Sequence, residues 1–189
     1  MTDLSLETRA GLPDTLAFLR ASFPQADWRK HPNFGELSAF WLQVHDQLRG
    51  QGTALNEATS DYRKGGLDPV RFRQYFGPAL SHFLQHLDGH HQIEDRFYFP
   101  RFRALDDRMV AGFELLERDH EMIHEALLAT VESANSFLRT PEAGDEARRT
   151  AEAYAAAADR LLALLTRHLA DEEDLIIPAM LRHGEQRVG

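Results

Sequence analysis

The strongest constraint on the fold is a helical pattern that runs through four long stretches of the chain. In each stretch apolar residues recur at steps of three and four, and histidine stands within the apolar stripe. Short segments rich in Gly, Pro and Asp separate the stretches, and no alternating β-branched run is long enough to predict a strand. We therefore predict an all-α fold, an antiparallel up-down four-helix bundle with an N-terminal arm.

Glycine and proline mark the predicted helix ends. Gly65-Gly66 ends the first helix, and Asp68-Pro69 opens the second as an N-cap followed by proline in the first turn. Pro100, Thr140-Pro141 and Pro178 end the second, third and fourth helices. The predicted domains are an arm with a short helix (residues 1–30), the bundle (31–183) and a polar tail (184–189).

The predicted inward stripes combine large apolar residues with histidine and glutamate. A His-x-x-x-Glu or His-x-x-x-His pair places two side chains one helical turn apart on one face, close enough to share a metal ion. In chain order, the stripes are Phe34, Leu37, Trp41, His45 and Leu48; Phe76, Leu80, Phe83, Leu87, His90, Glu94 and Phe97; Phe113, Leu116, His120, His124, Leu127 and Val131; and Tyr154, Leu161, Leu165, His168, Glu172 and Leu175.

An internal repeat is more informative than any single pair, because ten histidines and 30 acidic residues produce some such spacings by chance. His90-x-x-x-Glu94 and His168-x-x-x-Glu172 match at an offset of 78 residues. His45-Asp46-Gln47-Leu48 and His124-Glu125-Ala126-Leu127 match at an offset of 79. The bundle is therefore predicted to consist of two pseudo-repeated helical hairpins.

Seven residues form the candidate metal set: His45, His90, Glu94, His120, His124, His168 and Glu172. For any one histidine, a hydrogen-bonded core position is the ordinary alternative. Five imidazoles and two carboxylates on inward faces would be a costly buried polar group without a cation, so we predict metal binding. The second hairpin supplies one more ligand than the first, because Trp41 stands at the position that corresponds to His120.

The composition narrows the choice of metal. The chain has no cysteine, which excludes thiolate zinc sites, iron–sulfur clusters and disulfides. Imidazole and carboxylate without sulfur suit iron, with manganese or zinc as alternatives. In two octahedral irons, five histidines, two bridging carboxylates and a shared oxo or hydroxo bridge fill all but one of the coordination positions. A single open position suits end-on binding of O2 or another small diatomic.

These residues resemble the hemerythrin-like (HHE cation-binding) domain family. The segment His90-His91-Gln92-Ile93-Glu94-Asp95 with Phe99-Pro100, and the segment from His168 through Glu172-Glu173 to Pro178, are similar to its signature segments, and the resemblance covers about residues 31–183. It implies an up-down four-helix bundle around a non-haem di-iron centre. Members bind O2 reversibly, sense oxygen or redox state, handle iron, or respond to nitric oxide and peroxide.

The last carboxylate ligand has two candidates. Many O2-carrying members of the family place it five residues after the histidine, which would select Glu173. The repeat and the stripe both select Glu172, because five residues turn about 140° around a helix and four residues only about 40°. We predict Glu172 and keep Glu173 as the alternative.

The other histidines have weaker claims to a metal. His86 lies near the edge of its stripe and is a candidate ligand or a partner of one, whereas His91 with Asp95 is expected to form an outer or surface pair. The roles of His31 and His86 stay open. The expected positions of the rest are an exposed one for His82, the arm for His31 and the polar tail for His183.

Three hypotheses follow for the function. The first is a di-iron protein that binds O2 or a related diatomic for storage, delivery or sensing. The second is an enzyme that decomposes peroxide or reduces nitric oxide, which is favoured if His120 does not bind the metal. The third is an iron-handling module whose metal holds the helices together.

Charge and hydropathy restrict the partners and the location. A formal net charge of −9 without a basic run argues against nucleic acid and anionic membranes. The first residues, Met1-Thr2-Asp3-Leu4, lack a basic stretch followed by an apolar one, and the most apolar run, Leu161 to Leu169, is interrupted by Arg167 and His168. We expect a soluble, cytoplasmic protein.

Overall fold

The structure is a computed structural model that describes residues 4–66, 68–140 and 144–189. Regular structure in these ranges is helical, without a strand, so the all-α prediction is confirmed. None of the described helices combines the length and the apolarity that crossing a membrane requires. The described part of the chain has five α-helices: α1 (Glu36–Arg63), α2 (Pro69–Ile93), α3 (Phe99–Arg103), α4 (Val110–Arg139) and α5 (Asp145–His183).

The junction between α1 and α2 follows the sequence signals. Gly65 has a φ of 75°, and the N–H groups of Gly65 and Gly66 donate back to the carbonyls of Tyr62 and Asp61, which closes α1 with a Schellman motif. The carboxylate of Asp68 then accepts from the N–H of Arg71 at 3.0 Å and caps the start of α2.

The second helix does not end at Pro100 as predicted. A π-helical turn, Glu94–Tyr98, follows α2 directly, and the N–H of Phe99 donates to the carbonyl of Glu94. Pro100 therefore stands in the first turn of α3, where its missing N–H costs little. The extra residue in the turn shifts the buried face, so Phe97 is exposed and Phe99 is buried.

Proline also fails to end the last helix. α4 ends at Arg139 next to Thr140, as predicted, although Pro141 lies outside the described residues. α5, in contrast, continues through Pro178 to His183. A proline inside a helix costs about 3 kcal/mol, and burying a large apolar side chain contributes about 1.5–3 kcal/mol. The apolar residues around Pro178 that are buried and offset this cost are Ile176, Ile177, Ala179, Met180 and Leu181.

The chain divides into two compact units, to which each of the four long helices contributes. Unit 1 consists of Met1–Asp46, His90–Glu121 and Thr166–Gly189, and unit 2 of Gln47–Gly89 and Met122–Leu165. In unit 2, α1 packs closely on α5 at Gly52. A Cβ at this position would lie only 2.7 Å from Cδ1 of Leu162, so the close approach requires glycine. The buried aromatic residues described in unit 2 are Phe72, Phe76, Phe83, Phe137 and Tyr154, and the half-buried Tyr62 packs against Phe72 and Phe137.

Residues of the described N-terminal arm and of the C-terminal tail pack into unit 1. The amphipathic stretch Leu12–Phe23 forms successive turns, and the regular element of the described arm is a 3₁₀ helix, Gln25–Lys30. Leu12, Ala17 and Trp28 join the apolar core of this unit. In the tail, Val188 is fully buried although a polar segment is expected there.

Candidate metal centre

Two groups of buried donor atoms lie in unit 1. We call His91, His120 and His168 the nitrogen group, and His45, His90, Glu94 and Glu172 the mixed group; within each, one donor atom per residue lies within 4.8 Å of the others. The residues come from α1, α2, the π turn, α4 and α5. The His-x-x-x-Glu pairs thus meet as the sequence predicts.

The two carboxylates of the mixed group also face histidines of the nitrogen group. Glu94 places Oε1 2.9 Å from Nε2 of His90 and Oε2 3.6 Å from Nε2 of His120. Oε2 of Glu172 lies 3.4 Å from Nε2 of His168 and 3.6 Å from Nε2 of His45. Each carboxylate is therefore positioned to connect the two groups.

Most of these donor atoms are buried without a hydrogen-bond partner among the described residues. Nε2 of His90 and Oε1 of Glu94 are 2.9 Å apart but are not aligned to share a hydrogen. Two ligands about 2.1 Å from one octahedral cation are about 3 Å apart, so a shared cation accounts for such spacing. The unpartnered atoms are Nε2 of His45, His90 and His91, both carboxylate oxygens of Glu94, and Oε2 of Glu172. The donor set therefore fits metal ions.

The electrostatics point the same way for three of the histidines. Burial lowers the pKa of His90 to about 3, and burial also lowers the pKa of His91 and His120, so these rings are neutral and have a free lone pair. Burial would also lower the pKa of His168, but Asp119 and Glu172 outweigh it and raise that pKa to about 9. Burial and the neighbouring charge of Glu172 raise the pKa of Glu94 well above its usual range. Two carboxylates so placed repel each other unless a proton or a cation lies between them.

A comparison with models of protein families agrees with this geometry. The family model described as the hemerythrin HHE cation binding domain matches residues 36–180. The chain belongs to this family. The comparison with curated proteins finds no match, and neither does the comparison with solved structures.

In this member of the hemerythrin HHE family, carboxylates hold the second ring nitrogen of three histidines. Glu173 lies 2.9 Å from Nδ1 of His45, Asp95 2.8 Å from Nδ1 of His120, and Asp119 3.5 Å from Nδ1 of His168. A ring whose Nδ1–H donates to a carboxylate presents its Nε2 lone pair to a metal. Of the two alternatives for the last ligand, Glu172 belongs to the mixed group, and Glu173 lies behind His45.

Trp41 orients Glu172, one of the two carboxylates of the mixed group. Its indole N–H donates to Oε1 of Glu172 at 3.0 Å, which leaves Oε2 facing His45 and His168. Burial alone would raise the pKa of Glu172, but the two histidines hold it well below its usual range. Trp41 thus positions a candidate ligand, whereas His120, at the corresponding position of the repeat, is itself a candidate ligand.

His124 is not part of either group. It lies in unit 2 with its side chain 54% exposed and Nδ1 3.6 Å from Oδ1 of Asp88. The buried stripe of α4 passes from His120 to Ile123, which is fully buried. One residue turns about 100° around a helix, so His124 points away from that stripe. The match of His124 with His45 in the repeat is therefore a match of sequence and not of environment.

His91 is a buried donor, although the sequence predicts an outer or surface pair of His91 with Asp95. Its ring stacks on His120 with centroids 3.9 Å apart, and Asp95 contacts His120. The sequence contains a signal for this position: His91 follows Leu87 by four residues and Leu84 by seven, and both leucines are buried. A stripe defined from Leu84 as well as Leu87 would have included it.

The remaining histidines lie outside both groups. His86 places Nδ1 3.2 Å from Oε1 of Gln51 in unit 2, and His82 is exposed. In unit 1, His31 accepts from the N–H of Asn33 and packs edge-on against Phe23. His183 is the last residue of α5 rather than part of a tail.

Proposed function

We propose that this protein holds two non-haem iron ions and binds O2 or a related small diatomic for storage, delivery or sensing. The proposed ligands are the nitrogen group and the mixed group, with Glu94 and Glu172 shared between the ions and an oxo or hydroxo bridge completing the centre. We propose the antiparallel up-down bundle for the four long helices. A cytoplasmic location stays a prediction.

The convergence of unpartnered buried donors in a hemerythrin HHE member carries this proposal. Because His91 replaces His124, the donor count remains five histidines and two carboxylates. The coordination count then leaves one open position, as the sequence predicts. Nitrogen and oxygen donors without sulfur suit iron, with manganese or zinc as alternatives.

The chain's own residues would determine how the ions are held. Asp95, Glu173 and Asp119 fix the histidine rings through Nδ1, and Trp41 fixes Glu172. Burial excludes bulk water, since even the His90 side chain is only 11% exposed. When bound, iron would supply a redox-active centre with an open position for a small ligand. Such enclosure favours a diatomic over a bulky organic substrate.

Metal content and spectroscopy test this function. We expect about two irons per chain and an absorption of bridged ferric iron that disappears on reduction and deoxygenation and returns with O2. The variant His90→Ala should lose iron, whereas His82→Ala on the exposed face of the same helix should retain it. A protein that remains iron-free after anaerobic loading, and colourless when it is then exposed to O2, would contradict the proposal.

The same iron-loaded protein also tests the two other hypotheses, an enzyme and an iron-handling module. Sustained consumption of peroxide or nitric oxide by the iron-loaded protein would identify an enzyme. Iron loading that raises stability without any spectral response to O2, nitric oxide or peroxide would identify an iron-handling module. The donor count favours neither, because both His120 and His91 are available as ligands.

A further inference from the structure

Arg9, in the N-terminal arm, lies outside the part of the chain that matches the family model, yet it reaches the residues around the proposed metal centre. Its side chain is only 2% exposed. A guanidinium so buried requires anionic partners, because desolvation of an unpaired charge costs several kcal/mol. The structure supplies two, Asp119 and Asp171, together with the carbonyl of Leu4 at 3.0 Å.

The guanidinium of Arg9 donates hydrogen bonds to Asp119 from two of its nitrogens. Nη1 donates to Oδ1 at 2.8 Å and Nη2 donates to Oδ2, while Nε donates to Asp171 at 2.7 Å. This fork fixes the carboxylate plane as well as its position. Oδ2 of Asp119 is also the atom that lies 3.5 Å from Nδ1 of His168. A continuous path thus runs from the arm through Asp119 to a proposed ligand.

Asp119 depends on such a partner more than the comparable carboxylate on His120 does. The Asp119 side chain is 3% exposed, and that of Asp95 is 41% exposed. Water can solvate Asp95, whereas a buried carboxylate needs fixed donors to stay charged in one orientation. Removing Arg9 would leave Asp119 and Asp171 as two buried like charges, and Asp119 would have no fixed orientation towards His168.

We propose that Arg9 is a positioning residue of the metal centre: it holds Asp119 on Nδ1 of His168, so that Nε2 of His168 stays directed at the metal. The proposal rests on the proposed function, because its effect is read at the bound metal. It makes the arm part of the site, whereas a purely structural arginine would only fasten the arm to α5.

Co²⁺ titration of the full-length protein tests the proposal, because the visible bands of Co²⁺ report ligand geometry as well as affinity. The variants are Arg9→Met and Arg9→Lys. Arg20→Met is the matched control, because Arg20 also joins the arm to α5, through Asp174 at 2.9 Å, without contact to a histidine ligand. We expect Arg9→Met to weaken Co²⁺ binding by about 10- to 100-fold and to shift the bands. Arg9→Lys keeps the charge but not the fork, so its loss should be smaller.

Each outcome has a defined meaning. Arg20→Met should lower the thermal midpoint with Co²⁺ affinity within about twofold of wild type. Equal losses in Arg9→Met and Arg20→Met, or no loss in Arg9→Met, would overturn the positioning role. If Arg9→Met does not fold, Arg9→Lys against Arg20→Lys decides: a loss only in Arg9→Lys supports the role, and equal affinities overturn it. Failure of the wild type to bind Co²⁺ or iron would instead overturn the proposed function itself.

Discussion

Unit 1 and unit 2 are built from the same four long helices, but unit 1 buries a cluster of polar side chains beside its apolar core. In unit 2 the buried stripes pack aromatic rings against one another. The rings of Phe76 and Tyr154, for example, are nearly perpendicular, with their centroids 4.8 Å apart. In unit 1 the stripes place imidazoles and carboxylates next to one another, and several of their polar atoms have no partner among the described residues. The same helical period therefore serves either packing or metal chemistry.

The difference lies in what stabilises each interior. Aromatic rings gain free energy by leaving water and by their edge-to-face contacts, so unit 2 needs no further component. Buried imidazoles and carboxylates lose hydration and regain it only through hydrogen bonds or a cation. We therefore expect packing changes to affect stability in unit 2, and donor changes to affect metal affinity in unit 1.

The largest expected effect is in unit 2. Phe76→Ala removes a fully buried ring and should lower the free energy of unfolding by about 3–5 kcal/mol, measured by urea denaturation. The folded variant should still bind two irons. Phe40→Ala, the same substitution at an exposed position of unit 1, is the control and should change stability by less than about 0.5 kcal/mol. Loss of iron from folded Phe76→Ala would remove the distinction between the units.

The second prediction compares His91, a buried histidine of the nitrogen group, with His124, an exposed histidine. His91→Ala removes a donor of the nitrogen group and should weaken one metal site at least 100-fold, or about 2.7 kcal/mol. His124→Ala removes an exposed ring and should leave both sites within about twofold. Isothermal titration of the metal-free proteins with Fe²⁺ under nitrogen measures both. The opposite ranking would favour His124 as the ligand, as the sequence pattern predicts.

The sequence predicts the proximity of most of these donor side chains because helix geometry converts spacing directly into proximity. His90 and Glu94, and likewise His168 and Glu172, are four residues apart, and the structure brings these pairs together. His124 shows where spacing fails. The four-residue step from His120 to His124 is compatible with the stripe. The buried position is instead occupied by Ile123, because burying an apolar side chain is more favourable than burying an imidazole.

Three other features needed tertiary information. The π turn at Glu94–Tyr98 has no distinctive composition, and Pro100 read locally is a helix end. Pro178 also predicts a helix end, but α5 continues through it, and the burial of its apolar neighbours offsets its cost. The contact of Arg9 with Asp119 joins residues 110 positions apart, which no local pattern reports. The prediction of an all-α fold did not depend on any of these.

The smallest predicted effect separates charge from packing at the chain end of unit 1. The carboxylate of Glu185 accepts from the N–H groups of Gly35, Leu37 and Ser38 at 2.8–3.0 Å and so caps the start of α1. Glu185→Gln should lower the free energy of unfolding at pH 7 by about 1 kcal/mol, because a neutral amide accepts more weakly. Glu152→Gln, which breaks the exposed pair with Arg63 in unit 2, is the control and should cost less than about 0.5 kcal/mol.

The pH dependence of that loss identifies its origin. Partial burial would raise the pKa of Glu185, but the hydrogen bonds from the start of α1 outweigh it and lower the pKa below the ordinary 4.5. The ionised carboxylate therefore stabilises the fold above the unfolded-state pKa, and this contribution disappears as the pH falls through the lower folded-state pKa. Urea denaturation from pH 7 down to pH 3 should show wild type and Glu185→Gln converging in acid. A difference that stays constant would mean that the side chain acts through packing, as residues in unit 2 do.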